Sequence, residues 1–226
     1  MPINFPLETF RKVSDVFCET GTYHGDAIIK AFDAGFKKIS TIEISPINQK
    51  IAQDRFLQHT KHNKKIVSNF ILGDAEDKIS ELVDFALSYN DNHPIFWLDA
   101  HTHYFENGEK TPGSACPLIT EIREINSKFH GQAIVLIDDL RIISSLEKSS
   151  QKNLRFRIKA ALTSLFNPEK LSELDSNWGS EVNLYHVLRE CVCESGVSFT
   201  FLDGIVPNDI LCIYPPTLHN LLFQEK

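Results

Sequence analysis

The stretch VFCETGTYHG, residues 16–25, decides the fold. Residues 16–18 form a short run of strand-forming side chains, and residues 19–25 form a polar turn that contains two glycines. Apolar residues then recur at helical spacing until Gly35, a residue type that commonly ends helices. The stretch therefore predicts a strand, a tight turn and a helix, which is the unit that repeats in parallel α/β sheets.

The same alternation of strands and helices continues along the chain, as parallel strands joined by crossover helices require. The last two β-rich runs flank Pro207-Asn208-Asp209 and predict an antiparallel hairpin. We expect a single α/β domain over residues 1–226 with a doubly wound, mostly parallel seven-stranded sheet. The later strands are predicted over Lys38–Ile44, Ile66–Leu72, Ile95–Leu98, Ala133–Ile137, Val197–Leu202 and Ile210–Tyr214, and the crossover helices over Pro46–His59, Ile79–Ala86 and Pro117–Phe129.

Two segments interrupt the alternation of strands and helices. Residues 102–116 form a polar loop with an Asn-Gly and a Pro-Gly pair, and long loops in compact domains are usually functional. Residues 141–196 hold more helical sequence than one crossover needs, including the stretches Arg155–Phe166 and Val182–Glu194. We expect this helical insert to determine specificity or to form the surface of a homo-oligomer.

Composition excludes several classes of protein. The 23 lysines and arginines against 30 aspartates and glutamates give a net charge of −7, which has the wrong sign for a general nucleic-acid binder. No apolar run approaches the roughly 20 residues that span a bilayer, and no apolar signal segment follows the N-terminus. The five irregularly spaced cysteines suit reduced thiols. We expect a cytoplasmic protein that binds neither nucleic acid nor membrane.

Acidic residues follow five successive predicted strands. The carboxyl ends of parallel strands meet at one edge of the sheet, where ligands bind in open α/β folds. The fold is therefore expected to bring the acids together, although a single acid at such a place is often only a helix N-cap. These acids are Glu19, Glu43, Asp74, Asp99 and the pair Asp138-Asp139.

The turn after the first strand is suited to a ligand close to the backbone. Its spacing, Gly21-x-x-x-Gly25, is neither the G-x-G-x-x-G fingerprint of dinucleotide-binding folds nor a P-loop, whose lysine is missing. Glu43, about 20 residues further on at the end of the second strand, is placed to bind both hydroxyls of a ribose. The pattern favours a nucleoside cofactor.

With these residues in place, the sequence resembles the class I S-adenosylmethionine (SAM)-dependent methyltransferases over nearly its whole length. The resemblance rests on FCETGTYHG, TIEIS, ILGDAED, FWLDAH and VLIDDL in the order of that family, followed by the closing antiparallel hairpin. It implies that the glycine turn faces the methionine part of SAM, the second-strand acid binds the ribose and the third-strand acid meets the adenine. The implied cofactor-binding residues are Glu19, Gly21, Thr22, Gly25, Glu43, Asp74 and Ala75.

Asp99, Asp138 and Asp139 predict a divalent metal site, because carboxylates that end neighbouring strands supply the hard oxygen ligands of Mg²⁺. The pattern is similar to that of the macrocin-type and catechol-type O-methyltransferases, and the Asp-Asp pair is closer to the macrocin-type sugar enzymes. The resemblance implies O-methylation of a small-molecule hydroxyl on a sugar or natural-product diol, with Asp99 and His101 as catalytic residues. His101 is the expected base, and its alternative role is that of a surface or N-cap histidine.

Three alternatives stay open from the sequence. Asp139 can cap the next helix while Asp99 touches the cofactor, with no metal involved. The chain can also be a non-catalytic module that keeps the nucleoside pocket only. Finally, Asp99-Ala100-His101 is similar to the D-A-H-x-D metal motif of ureohydrolases, but His103 stands where that motif has its second aspartate.

Overall fold

The computed structural model describes residues 6–63, 65–100, 117–140 and 196–223. Strands and helices alternate in these residues as the sequence predicts. The strands are β1 (Val16–Thr20), β2 (Lys38–Glu43), β3 (Val67–Leu72), β4 (Ile95–Leu98), β5 (Ile134–Ile137), β6 (Ser198–Leu202) and β7 (Ile210–Tyr214). The helices are α1 (Glu8–Arg11), α2 (Asp26–Asp33), α3 (Pro46–Thr60), α4 (Ala75–Leu87), α5 (Leu118–Phe129) and α6 (His219–Phe223).

The strands form one seven-stranded sheet in the order β3-β2-β1-β4-β5-β7-β6. The first five strands pair in parallel, and β7 pairs antiparallel with both β5 and β6. The predicted fold class and the closing antiparallel hairpin are therefore confirmed. The strand order reverses between β1 and β4, so the ligand crevice of an open α/β sheet is expected at the carboxyl ends of these two strands.

Each face of the sheet is covered by helices, which makes the fold doubly wound. On one face, Leu82 of α4 and Ile122 of α5 pack against Val16 and Cys18 of β1. On the other face, residues of α1, α2, α3 and α6 pack against Phe17, Trp97 and their neighbours. Side chains alternate along a strand, so consecutive residues of β1 point into different layers.

Several predicted boundaries differ from the structure. The first strand was predicted to end at Cys18, but it runs to Thr20, because Glu19 and Thr20 continue the parallel register with both β2 and β4. Asp74 ends no strand; it caps α4, where its Oδ1 accepts a hydrogen bond of 3.0 Å from the Glu76 N–H. The short helices α1 and α6 were not predicted, since neither is long enough to show periodicity.

The loop at 102–116 and nearly all of the helical insert at 141–196, with its stretches Arg155–Phe166 and Val182–Glu194, lie outside the described residues. Among the helices that the structure describes, none has the length and apolar character needed to cross a membrane.

The turn after β1 packs directly on the end of β4. Gly21 has a φ of 82°, in the left-handed region that side chains other than glycine rarely adopt. A Cβ atom built on Gly21 would lie 2.5 Å from the Asp99 carbonyl oxygen and 2.8 Å from its carbonyl carbon. The neighbour is backbone, so no rotamer change relieves the contact. Only glycine lets the ends of β1 and β4 meet here.

We predict that Gly21→Ala lowers the free energy of unfolding by at least about 2 kcal/mol, because it combines backbone strain with a backbone clash. Gly196→Ala is the matched control: Gly196 also has a positive φ, 62°, but a Cβ there meets nothing within 4 Å. That control is expected to lose only about 1 kcal/mol. Urea titrations of both variants measure the difference, and equal losses would contradict the close approach.

Candidate functional site

The parallel register brings the strand ends level. Thr20 pairs with Ile42 of β2 and Leu98 of β4, and Leu98 pairs with Ile137 of β5. The acids that lie at or directly after these strand ends, Glu19, Glu43, Asp99 and Asp138, therefore occupy one edge of the sheet. This edge is the candidate site.

Glu43 holds the glycine turn. Its Oε2 accepts a hydrogen bond of 2.6 Å from the Tyr23 N–H, and its Oε1 accepts one of 2.9 Å from the Ser45 N–H. Burial raises the pKa of the Glu43 carboxyl, and hydrogen bonds from the Ser45 and Tyr23 N–H groups, the Asn48 side chain and the Ile44 N–H oppose that shift. Glu43 therefore anchors the turn, and the hydroxyls of a ligand would share its oxygens with these donors.

Glu19 belongs to a buried hydrogen-bonded chain between β1, β2 and the turn. Glu19 Oε2 lies 2.9 Å from Thr41 Oγ1, Thr41 Oγ1 contacts Thr22 Oγ1, and Thr22 Oγ1 lies 2.9 Å from the carbonyl oxygen of Ile42. The Thr41 hydroxyl donates to Glu19 and the Thr22 hydroxyl donates to the Ile42 carbonyl. The chain therefore links the Glu19 carboxyl to the backbone at the end of β2.

The surroundings of Glu19 shift its pKa. Burial raises its pKa well above the usual value, the Thr41 hydroxyl opposes the shift, and the negative charges of Asp99 and Glu43 add to it. Glu19 is only 2% exposed. Glu19 is therefore a buried acid beneath the turn, and its role in binding the methionine part of SAM stays a prediction.

Glu121 is a site residue that the sequence reasoning missed. It lies in the first turn of α5, only 1% exposed, beside the last residue of β1, Thr20. Burial raises the pKa of Glu121 to about 8, the Thr20 hydroxyl opposes the shift, and the charges of Asp74 and Asp99 add to it. The sequence does contain a sign of this burial, because Glu121 is three residues beyond Leu118 and so lies on the apolar face of its helix.

A second missed residue, Asp209, joins Asp138 and Asp139 in an acidic cluster. One oxygen from each of the three lies within 4.8 Å of the others, and both Asp139 and Asp209 are 1% exposed. Asp209 directly precedes β7, and because β7 runs antiparallel to β5, its start lies at the edge where β5 ends. The predicted hairpin contained this information, but the sequence reasoning did not use it.

The structure brings together two of the three predicted metal ligands. Asp138 and Asp139 lie together, and the Asp139 N–H donates to Asp138 Oδ1 at 2.8 Å. In the described residues the third member of this cluster is Asp209, whereas the sequence predicted Asp99. The Asp99 N–H donates to the Thr20 carbonyl at 3.2 Å. The metal role of Asp99 stays a prediction. His101, the predicted base, lies outside the described residues.

The other predicted cofactor residues line the same edge. Gly25, with a φ of 82°, is the N-cap of α2, and its N–H donates to the Thr22 carbonyl at 2.8 Å. Ala75 is the first residue of α4 and is buried. The Gly73 N–H donates to the Glu43 carbonyl at 2.9 Å, which ties the turn before α4 to the end of β2. Their contacts with SAM stay predictions.

We predict that Glu121 makes folding depend on pH. The native chain binds its proton up to a pKa of about 8, whereas the unfolded chain loses it near 4.5, so stability falls as pH rises between these values. Glu121→Gln keeps the shape of the protonated acid. It should match the wild type at pH 4 and exceed it at pH 9 by up to about 5 kcal/mol.

Urea titrations of the wild type and Glu121→Gln across this pH range measure the effect. Glu124→Gln, the same change at a half-buried position on α5, is the matched control and is expected to show no such trend. A difference between Glu121→Gln and the wild type that stays constant with pH would contradict the assignment.

No known family model matches the sequence, and no curated protein is similar to it in sequence. The fold, in contrast, is similar to solved structures. Cofactor-bound Rv0187 from MTB is 12% identical, with a TM-score of 0.50 over 92% of this chain and 76% of that one. The O-methyltransferase TomG from Streptomyces achromogenes, solved in complex with SAM, is 15% identical, with a TM-score of 0.50 over 92% and 77%. The chain therefore has the seven-stranded, mostly parallel fold seen in these proteins.

Proposed function

We propose that the protein is a SAM-dependent methyltransferase that methylates a hydroxyl of a small molecule, such as a sugar or natural-product diol. The observation that carries this proposal is the glycine turn, held by both oxygens of Glu43 at an edge of the sheet rich in acids. The SAM-bound state of TomG, a protein of the same fold, supports the choice of cofactor.

The charge of the edge favours SAM over a dinucleotide. Burial is the main cause of the raised pKa of Glu19 and Glu121, and the charges of Asp99 with Glu43 or Asp74 add to it, so these carboxyl groups lie close together. Such an edge attracts the sulfonium cation of SAM and repels a pyrophosphate. The missing G-x-G-x-x-G fingerprint is consistent with this choice.

The proposed binding mode follows the strand order. Glu43 accepts hydrogen bonds from both ribose hydroxyls, and the turn after β1 faces the methionine part. The turn before α4 faces the adenine. In this arrangement Glu19, Gly21, Thr22 and Gly25 serve the methionine part, and Asp74 and Ala75 serve the adenine.

The proposed metal is Mg²⁺, held by Asp138 and Asp139 with Asp209 or Asp99 as the third carboxylate. Three carboxylate oxygens are the donors that Mg²⁺ prefers, and two of them, on Asp139 and Asp209, are on buried residues within 4.8 Å of each other. A divalent cation would supply Lewis acidity that lowers the pKa of an acceptor hydroxyl.

In the proposed reaction the acceptor oxygen attacks the methyl carbon of SAM in line with the sulfur. A carbon–oxygen bond forms, the carbon–sulfur bond breaks with its electron pair on sulfur, and S-adenosylhomocysteine leaves. The hydroxyl proton passes to a base, for which we propose His101, with Asp99 beside the transfer path. The residues at this edge contribute orientation and charge, which are the main sources of rate in such a displacement.

We predict that Glu43→Ala weakens SAM binding roughly tenfold to over a hundredfold. The variant removes a charge-assisted contact with two hydroxyls, which contributes about 1.5 to 3 kcal/mol. Isothermal calorimetry measures the Kd. Glu81→Ala, which removes an exposed acid from α4, is the control and should leave the Kd unchanged.

An unchanged Kd in Glu43→Ala would remove Glu43 from the site. NADH that binds the wild type as tightly as SAM would overturn the cofactor assignment. A chain that binds SAM but transfers no methyl group to any sugar or natural-product diol would indicate the non-catalytic module instead.

We predict that Mg²⁺ at 100 times its Kd stabilises the fold by about 2.7 kcal/mol, seen as a higher melting temperature. Asp138→Asn is expected to abolish this rise and methyl transfer while leaving SAM binding largely intact. Asp209→Asn and Asp99→Asn then identify the third ligand, because only the variant that removes a true ligand abolishes the rise. Asp77→Asn, at an exposed position of α4, is the matched control.

A melting temperature that does not respond to millimolar Mg²⁺, Mn²⁺ or Ca²⁺, together with methyl transfer that EDTA does not inhibit, would exclude the metal. In that case Asp139 has only a structural role and His101 acts without a metal.

A further inference from the structure

Two buried oxygens below the candidate site make no hydrogen bond of ordinary geometry to the residues that the structure describes. They are Thr20 Oγ1 and Glu121 Oε1, on side chains that are 0% and 1% exposed. Most buried polar atoms in native proteins are paired, and an unpaired one costs about 1–3 kcal/mol. The Thr20 hydroxyl lowers the pKa of Glu121, so it interacts with the Glu121 carboxyl. A carboxyl can make more than one hydrogen bond, so Glu121 has room for a further polar partner.

These two oxygens lie on the ligand side of the fold. Thr20 is the last residue of β1, next to Gly21, and its carbonyl accepts the Asp99 N–H at 3.2 Å. By alternation Thr20 shares the face of Val16 and Cys18, where α4 and α5 pack, and Glu121 projects from α5 into the same layer. The charges of Asp74, Asp99 and Glu76 all act on Glu121. The pair thus lies between the end of β4 and the start of α4.

We propose that Glu121 is a specificity-determining residue for the purine of the bound ligand and that Thr20 is its positioning residue. This inference rests on the proposed function, in which the turn before α4 faces the adenine. Glu121 would hydrogen-bond the purine edge that carries the exocyclic amino group. Thr20 would orient the Glu121 carboxyl toward that edge.

The chemistry of a neutral carboxyl fits this edge. Adenine presents an amino donor next to a ring-nitrogen acceptor. A protonated carboxyl offers one acceptor and one donor, whereas an ionised one offers acceptors only. Burial keeps the pKa of Glu121 near 8, so the acid is mostly neutral at pH 7. A carboxyl can carry its proton on either oxygen, so rejection of a purine with a carbonyl in place of the amino group, such as hypoxanthine, requires Thr20 to fix which oxygen donates.

The test compares two ligands on four proteins. Calorimetry measures the Kd of S-adenosylhomocysteine and of its inosine analogue for the wild type, Glu121→Gln, Glu121→Leu and Thr20→Val. The wild type and Glu121→Gln should prefer the adenine ligand roughly tenfold to a hundredfold. Glu121→Leu should bind both ligands equally, and Thr20→Val should retain only part of the preference. Glu124→Leu, on the same helix, is the control and should keep the full preference.

The possible results distinguish a failure of the proposal for Glu121 from a failure of the proposed function on which it rests. If the wild type binds neither S-adenosylhomocysteine nor SAM, the proposed function fails and the inference fails with it. If the wild type binds and all variants keep the same preference, the function stands and the inference is wrong. In that case the oxygens serve a buried water. If Glu121→Leu does not fold, Thr20→Val decides, because a merely structural threonine would change the melting temperature but not the ratio of the two Kd values.

Discussion

Burial of carboxyl groups at one edge of the sheet is the constraint on which the rest of this structure depends. The parallel register makes the strands end level, so their acids meet, and burial, with the charge of Asp99 in addition, raises the pKa of both Glu19 and Glu121. The chain accommodates these acids in different ways. Glu43 binds two backbone N–H groups, Asp74 caps a helix, Glu19 accepts a hydrogen bond from Thr41, and Glu121 has a pKa of about 8. Each solution also fixes a loop or a helix that borders the crevice.

The end of β1 divides the site into two sides. Glu19 and Thr20 are consecutive, so they face opposite layers. On one side Glu19 joins Thr41 and Thr22 beneath the glycine turn, and on the other Thr20 meets Glu121 of α5. The edge therefore carries less negative charge than its acids imply, because Glu121, with a pKa of about 8, is mostly neutral at pH 7. A neutral carboxyl can act as a hydrogen-bond donor as well as an acceptor.

Most of the fold was predictable from the sequence because its strands and helices follow from patterns among residues that are close together along the chain. Periodicity placed β4 and β7 at their observed bounds, and the strand-end rule placed most of the acids at one edge. The missed residues depend on contacts between distant parts of the chain. Glu121 was hidden within the periodic pattern of a crossover helix, and only packing of α5 on the sheet makes it part of the site. Asp209 reaches the cluster only because β7 reverses direction beside β5.

The buried acids also link the stability of the fold to its ligand. A leucine in place of Glu121 would avoid both the desolvation of an acid and an unpaired oxygen, so a fold optimised for stability alone has no need of a carboxyl there. Energetic conflicts of this kind concentrate at binding sites, where a ligand supplies the missing partner. A ligand that pairs with Glu121 Oε1 removes the cost of the unpaired atom, so part of its binding energy appears as stability of the folded chain. A cofactor bound at this edge would therefore stabilise the folded chain.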